Sequence, residues 1–382
     1  MEQKEIAIFG PSKRFLSGVS YYTIRLSNAL SEFFKVKAVL FRRMLPKRLF
    51  PGWKRVGEEL TKLEFNENVK VYEILDWYNL ISWLKAYRIA RKCNAVIFEW
   101  WTSSVAHMYL AIALLNRKGI PIILEFHEVV DPLENAILPI RLYSRVMGKL
   151  IRSFASHYVA HSEADRNTIS KIYKIPKEKI SVIPHGLYDH YERVENAKAI
   201  LGIKENFVIL FFGLIRPYKG LRYLIDAFEA LPEEIAENSR LLIVGEAWED
   251  RESLRLAMSS GRREKITIVN RYVPDSEVSL YFSASDVLVL PYTRASQSGV
   301  AHIGMHFGIP IIATEVGGLK ESLSEYSGSI FVDANAGSIA EALGRVYSER
   351  RKFEAPERLK WKNIAEEWIK VIEDRIVEKN KA

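Results

Sequence analysis

One cysteine, Cys93, stands among 382 residues, so no disulfide within the chain can staple a small core and a disulfide-framework fold is excluded. Long apolar runs are missing too. The best stretch, Tyr109 to Leu115, is far short of the roughly 18 residues that a membrane-crossing helix needs. The opening MEQKEIAIFG has no basic segment followed by an apolar one, so a secretory leader is not expected, and with the lone thiol this points to a reducing, cytoplasmic compartment. Only 20 glycines and 14 prolines without a period exclude collagen-like and low-complexity chains. What is present is 48% hydrophobic and 12% aromatic residues, a composition that packs interiors, in a chain about twice the length of one typical domain. Two cores are expected.

The net charge of +8 is unevenly placed. Residues 1–190 hold 29 Lys+Arg against 18 Asp+Glu, and residues 191–382 hold 26 against 29. A basic first half facing a mildly acidic second half implies that one half meets something anionic. The basic maximum is FRRMLPKRLFPGWKR, residues 41–55, where Arg42, Arg43, Lys47, Arg48, Lys54 and Arg55 alternate with apolar side chains including Phe50 and Trp53. That mixture suits a lipid headgroup layer, or a solvated loop whose apolar residues cover the core. No helix-turn-helix, zinc or RNP pattern accompanies the charge, so nucleic acid is not an expected partner.

Short β-rich runs alternate with amphipathic helical stretches from end to end, the pattern of parallel sheets covered by crossover helices. The first half offers EIAIFG, VKAVLF, NAVIFE, IPIILEF, HYVAH and KISVIP; the second offers FVILFFG, SRLLIVG, KITIVN, DVLVLP, IPIIA and GSIFV. The fold class is therefore α/β, with two doubly wound Rossmann-like domains of about six strands each. Their boundary is expected near Pro184–Asn206, giving domains 1–187 and 188–355, with a terminal helix over 356–382. Helices are expected over Gly18–Phe33 and Leu221–Leu231, where apolar residues recur on one face. Ligands of such sheets sit beyond the carboxyl ends of strands, so a site is expected in a cleft between two such domains.

Two strand ends offer anion-binding chemistry. After FVILFFG comes LIRPYKG and then a helix. Gly213 and Gly220 allow close backbone approach, Arg216 and Lys219 supply cations, and the helix start adds N–H groups. After DVLVLP, Ser298 and Gly299 open a short helix, and IPIIA ends in Thr314 before Gly317-Gly318, making two adjacent anion-friendly turns. His127 ends a strand at the expected cleft, whereas His185 in PHG reads as a packing residue. Glu99-Trp100-Trp101 follows another strand, where the indoles suit sugar stacking or simple burial. His302 and His306 have the spacing of a metal pair but no third ligand in the motif, and no Asp-x-Asp exists for a metal-bound diphosphate, so no metal site is expected.

FFGLIRPYKGLRYLIDAFEAL resembles the Gly…Lys-Gly signature of retaining glycosyltransferases of family four, which have the GT-B fold, and DVLVLPYTRASQSGVAHIGMHFGIPIIATEVGGLKE resembles their donor-binding region. The glycine loop Ser17-Gly18-Val19, the strand ending in His127, HYVAHSEADRNTI and VIPHG fall in the same order. The resemblance covers nearly the whole chain. It implies a transferase that moves a sugar from a nucleotide diphosphate donor, UDP- or GDP-linked, to an acceptor hydroxyl with retention, in glycan, glycolipid or polysaccharide synthesis. The first domain would hold the acceptor, the second the donor, and the terminal helix would cross back to the first domain. Neither cofactor nor metal is implied. A basic first half then suggests a lipid-linked or polysaccharide acceptor at an anionic membrane, contacted peripherally through 41–55 at its cytoplasmic face.

By the same resemblance Lys219 and Arg216 bind and stabilise the leaving diphosphate, the latter standing two residues beyond the family's usual arginine position. Ser298, Gly299 and Val300 match the amides that cradle phosphate, and Gly18 and Gly213 line the donor loops. Gln297 would meet the sugar hydroxyls, Tyr272 the base, and His127 the transferred sugar, while Glu321 matches a family carboxylate in a helix's first turn. The family's pair of glutamates eight residues apart falls on Ala295 and Ile303, with Ser-Gln-Ser-Gly in their loop. Two alternatives follow: a non-catalytic protein that kept the fold, or a nucleotide-sugar epimerase using Glu125, Glu128 and Asp131.

Overall fold

The structure, a computed structural model, describes residues 3–15, 18–44, 61, 63–130, 138–295 and 297–381. Residues 45–55 of the basic aromatic segment, with Ser17, Asp131 and Ser296, lie outside the described residues. The chain forms two compact units, residues 1–186 with 358–382, and residues 187–357.

The first unit is built on a seven-stranded sheet: β1 (Glu5–Pro11), β2 (Lys35–Arg43), β3 (Lys70–Asp76), β4 (Ala95–Trp100), β5 (Ile122–Phe126), β6 (His157–Ala160) and β7 (Ile180–Val182). All pairings are parallel, in the order β3-β2-β1-β4-β5-β6-β7. β1 and β4 are buried along nearly their whole length, as strands covered on both faces must be, which is why they read as apolar runs, broken inside β4 only by Glu99. Helices α1 (Gly18–Leu30), α2 (Leu80–Ala90), α3 (Ala106–Leu115), α4 (Leu138–Phe154) and α5 (Glu163–Tyr173) are the crossovers. Residues of α2, α3, α4 and α5 share one core with Phe9, Phe98 and Leu124, while α1 supplies Tyr22, Leu26 and Leu30 to the opposite face with Ile6 and Ile8.

The second unit has a six-stranded parallel sheet of β8 (Phe207–Phe212), β9 (Ser239–Val244), β10 (Ile266–Val269), β11 (Val287–Leu290), β12 (Ile311–Thr314) and β13 (Ser329–Val332). Their order is β10-β9-β8-β11-β12-β13. Its helices are α6 (Ala197–Ile200), α7 (Leu221–Glu229), α8 (Glu233–Glu237), α9 (Arg251–Met258), α10 (Asp275–Ala284), α11 (Gly299–His306), α12 (Gly317–Ser324) and α13 (Ala336–Glu349). Leu221, Leu224, Ile225 and Phe228 of α7 pack with Ile339 and Leu343 of α13 over Ile209, Phe211 and Val289.

The last helix, α14 (Trp361–Lys381), belongs to the first unit. Trp361, Ile364, Trp368 and Ile372 complete the core beneath α1, and the Trp368 indole donates to the Tyr22 hydroxyl at 3.3 Å. Each sheet has a switch point, between β1 and β4 and between β8 and β11, where chains leave adjacent strands in opposite directions and open a crevice for ligands. Six strands were expected in the first unit; the seventh, β3, is a half-exposed edge strand (KVYEILD) with a charge at every third position. The helix expected to reach Phe33 closes at Leu30 in a turn whose Phe34 N–H donates to the Leu30 carbonyl.

Candidate functional site

In the second unit, chemistry gathers at the switch point. Beyond β8, Gly213 has a φ of +106°, and a short 3-10 turn, Pro217–Lys219, leads into α7 through Gly220. Gly220 is required twice over: its φ is +67°, and a Cβ there would lie 1.9 Å from the Pro291 carbonyl oxygen just past β11. The same junction is tied by the Thr293 N–H, which donates to the Tyr218 carbonyl at 2.8 Å. Lys219 Nζ lies 3.8 Å from the centroid of the Tyr292 ring, a cation held by π-electrons rather than by a carboxylate. Arg216 stacks over Trp248 at 4.9 Å, and its buried Nε has no hydrogen-bond partner among the described residues. Two cations thus stand beyond β8 without an acidic partner among the described ion pairs.

α11 begins beside them. Its cap is Ser298, whose hydroxyl accepts from the Ala301 N–H at 3.4 Å and lies 3.4 Å from the Tyr292 hydroxyl. The Ser298 side chain therefore serves its own helix, and Gly299 and Val300 carry the helix-start N–H groups, which have no intrahelical acceptor. Val300 Cγ2 lies 3.4 Å from where a Gly213 Cβ would be, so the β8 and β11 loops meet there. Gln297 Nε2 is buried without a partner among the described residues. Ile303, at one of the missing glutamate positions, is buried in the core side of α11, while Ala295 at the other is half-buried.

One expectation is corrected here. Glu321 is the fifth residue of α12, not in its first turn, so the helix dipole does not explain it. Tyr272 lies in the loop after β10, next to Arg271, which pairs with Glu277. The two spaced histidines do not converge: His302 Nε2 lies 3.4 Å from the Ser322 hydroxyl, and His306 Nε2–H donates to the Tyr191 carbonyl at 2.8 Å.

In the first unit a buried polar cluster occupies the ends of β4, β5 and β6. Glu99 and Glu125 are register partners on adjacent strands, and both side chains are fully buried. Glu99 accepts from the Thr23 hydroxyl at 2.6 Å, and Gly10 leaves the space its carboxylate fills, since a Cβ there would come within 2.1 Å. His127 and His161 continue the β5–β6 register beyond Glu125 and Val159. Their Nε2 atoms lie 3.8 and 3.7 Å from the two Glu125 oxygens. Tyr22 packs its ring against His127, His161 and His185 at centroid distances of 4.8, 5.3 and 4.5 Å. Gly18 starts the helix that carries Tyr22.

Burial sets the protonation of this cluster. Desolvation pushes the Glu125 carboxyl up, only partly offset by the Tyr22 hydroxyl, and pushes Glu99 up as well, with Glu125 as the second cause. It also lowers both histidines: His161 to about 4, partly offset by the Ile183 carbonyl, and His127 further helped down by His161 and His185. Burial thus disfavours the charged form of every member of the cluster, carboxyl and imidazole alike. His161 Nδ1–H donates to the Ile183 carbonyl at 3.0 Å, which leaves the Nε2 lone pair facing Glu125. Glu125, His127 and His161 bring three ligand-type atoms within 4.8 Å of one another, so these residues suit a shared proton or a cation. Reasoning from sequence missed this trio because its members lie up to 36 positions apart; only strand register brings them together.

Comparison with known proteins agrees with this architecture. The model for glycosyltransferase family 4 matches residues 16–189, and that for glycosyl transferases group 1 matches residues 193–368. Together they take in nearly the whole chain, which belongs to the group 1 glycosyltransferases and has the GT-B fold. An uncharacterised glycosyltransferase of Methanocaldococcus jannaschii is 30% identical over 229 residues, 55% of this chain and 58% of that one. The chain thus spans about three-fifths of the length of that curated relative. Among solved structures, a sucrose-phosphate synthase from Thermosynechococcus elongatus superposes with a TM-score of 0.66 at 17% identity, covering 99% of this chain and 98% of the other. Anabaena Alr3699/HepE, solved in complex with UDP-glucose, gives a TM-score of 0.66 at 17% identity, with 99% and 97% covered.

Proposed function

We propose that the protein transfers a sugar from a UDP- or GDP-linked donor to an acceptor hydroxyl with retention of anomeric configuration. The observation that carries this reading is the switch point of the second unit, where Lys219, Arg216 and the α11 start gather within contacting loops. Departure of a nucleoside diphosphate develops negative charge on its bridging oxygen. Lys219 and Arg216 oppose that charge, as do the N–H groups of Gly299 and Val300, and preorganised donors of this kind supply the largest catalytic term in many enzymes. The diphosphate is neutralised by these groups without a metal ion upon it. Anabaena HepE was solved with UDP-glucose, which supports a nucleotide sugar as donor here.

Gln297 meets sugar hydroxyls, Tyr272 and its loop meet the base, and Glu321 lies in the helix that follows the Gly317-Gly318 turn. His127 orients the transferred sugar as a neutral imidazole, because burial holds it well below its ordinary pKa. With no covalent nucleophile assigned to the reacting carbon, the acceptor attacks on the face the diphosphate leaves. The acceptor is a glycan or a lipid-linked sugar, met at the cytoplasmic side of an anionic membrane; no helix among the described residues is long and apolar enough to cross one.

A second reading, a non-catalytic protein of the same fold, is favoured by one observation: Ile303 is 6% exposed and part of the core, where the family carries a carboxylate. Incubation with UDP- and GDP-sugars and a panel of glycan acceptors, read by mass spectrometry and anomeric NMR, separates the readings. A glycoside retaining the donor configuration supports transfer. Donor converted without acceptor indicates epimerisation, and an unchanged donor supports the non-catalytic reading.

A further inference from the structure

The first unit carries a helix turned inside out. In α4 only Ser144, Gly148 and Ile151 are buried. Tyr143 fixes the helix to α3 through the His107 ring at 2.8 Å, and Gly148 lets it approach closely, a Cβ there lying 3.6 Å from Trp100. The outward side is apolar: Leu138, Leu142, Val146, Leu150 and Phe154 are 67%, 60%, 47%, 42% and 38% exposed. These residues recur every fourth position, forming a line that drifts slowly around a helix about 26 Å long. A helix that served only to cover the sheet would place such residues inward.

Charge decides what covers this line. The 17 residues of α4 contain no Asp or Glu, and Arg141, Arg145 and Lys149 lie on one flank between the buried and apolar faces, while Arg152 turns its guanidinium onto the Tyr173 ring at 3.7 Å. Helix α2, which packs on α3 as α4 does, repeats the pattern. It exposes Leu80, Ile81 and Leu84, carries Lys85 and Arg88, and has no acidic residue. The two are joined through His107, whose other nitrogen bonds the Trp77 carbonyl just before α2. A protein partner is matched by charges of both signs or by a closed pocket; one basic flank beside a continuous alkyl line matches an anionic bilayer surface.

We infer that α4, with the start of α2 across α3 from it, is a membrane-docking surface that lies flat in the headgroup layer of an anionic bilayer. The alkyl side chains enter the acyl boundary and the basic flank meets lipid phosphates. The inference deepens the proposed function by naming the surface that brings the protein to a lipid-linked acceptor, and it moves the principal contact from 41–55 to α4. The surface itself does not depend on which sugar is transferred.

The test is sedimentation of the full chain with phosphatidylcholine vesicles and with phosphatidylcholine/phosphatidylglycerol vesicles. Three variants accompany it: Leu142→Gln/Val146→Gln/Leu150→Gln, Arg141→Gln/Arg145→Gln/Lys149→Gln, and Arg42→Gln/Arg43→Gln/Lys47→Gln/Arg48→Gln. The altered α4 residues are exposed except for the half-buried Arg141, and circular dichroism with thermal unfolding checks that each variant folds. The expected result is binding to the anionic vesicles only, weakened at least about tenfold by either α4 variant, with the basic-flank variant also losing most of the salt dependence. Wild-type protein that stays in solution, α4 variants that bind as well as wild type, or a loss seen only in the 41–48 variant would each overturn it. So would a concentration-dependent dimer abolished by the Leu142/Val146/Leu150 changes in protein that ignores vesicles. Transfer to a water-soluble acceptor is measured in parallel: failure there with vesicle binding intact rejects the proposed reaction and leaves the surface standing.

Discussion

Gly220 and Gly202 form a matched pair for testing how the loop beneath Lys219 is held. Both have a left-handed φ, +67° and +66°, but a Cβ at Gly220 would lie 1.9 Å from the Pro291 carbonyl oxygen, whereas nothing lies within 4 Å at Gly202. Gly202→Ala therefore pays only the left-handed penalty, about 1 kcal/mol. Gly220→Ala meets the same penalty and a backbone collision that can be relieved only by moving Pro291 or the turn by more than an ångström. Overpacking of that kind adds roughly 1–3 kcal/mol or more, so a total loss of about 2–4 kcal/mol is expected. The shift also displaces Lys219, one residue away, from the Tyr292 ring. Urea unfolding followed by circular dichroism measures the first effect and nucleotide titration the second. Equal stability of the two variants, or a Gly220→Ala protein that binds nucleotide like wild type, would refute the reasoning.

Other perturbations are equally specific. Trp368→Ala removes a fully buried indole and leaves the Tyr22 hydroxyl without its donor; a loss of roughly 3–5 kcal/mol in unfolding free energy is expected. Ile303→Glu restores the family's carboxylate at a buried position, and a fall in melting temperature with no gain in nucleotide affinity is expected, because an unpaired buried carboxyl destabilises. The pH dependence of melting has two limbs. His161, lowered to about 4 by burial, stabilises fully above its ordinary value of 6.5, a contribution lost as pH falls toward 4. Glu125, raised by burial, stabilises fully below 4.5, a contribution lost as pH rises through its elevated value. His161→Gln should therefore flatten the acid limb and Glu125→Gln the alkaline one, and parallel melting profiles for wild type and Glu125→Gln would contradict the assignment.

Buried parallel strands declared themselves in sequence because both faces need apolar side chains: EIAIFG, NAVIFE and FVILFF became β1, β4 and β8 almost as read. β3 did not, since an edge strand half in solvent needs no apolar run. The cations Arg216 and Lys219 and the start of α11 were legible because they follow strands in a local motif. The cluster around His127 was only partly so. His127 was visible as a strand end, but the pairing of Glu99 with Glu125 and the approach of His161 depend on which strands become neighbours. Sequence spacing carries no trace of that choice. The same limit hid the outward apolar line of α4: its amphipathic period is plain, yet period alone does not say which face meets the core. His302 and His306 show the converse, a metal-like spacing whose members serve different neighbours.

The most direct measurement is calorimetric titration of the purified protein with UDP, GDP and ADP without added metal, beside Lys219→Ala. The account predicts that UDP or GDP binds, and that the variant, which keeps its fold because Lys219 is partly exposed, loses most of that affinity. Absence of binding by all three nucleotides, or undiminished binding by the variant, would contradict the claim that the switch point of the second unit is a nucleotide diphosphate site.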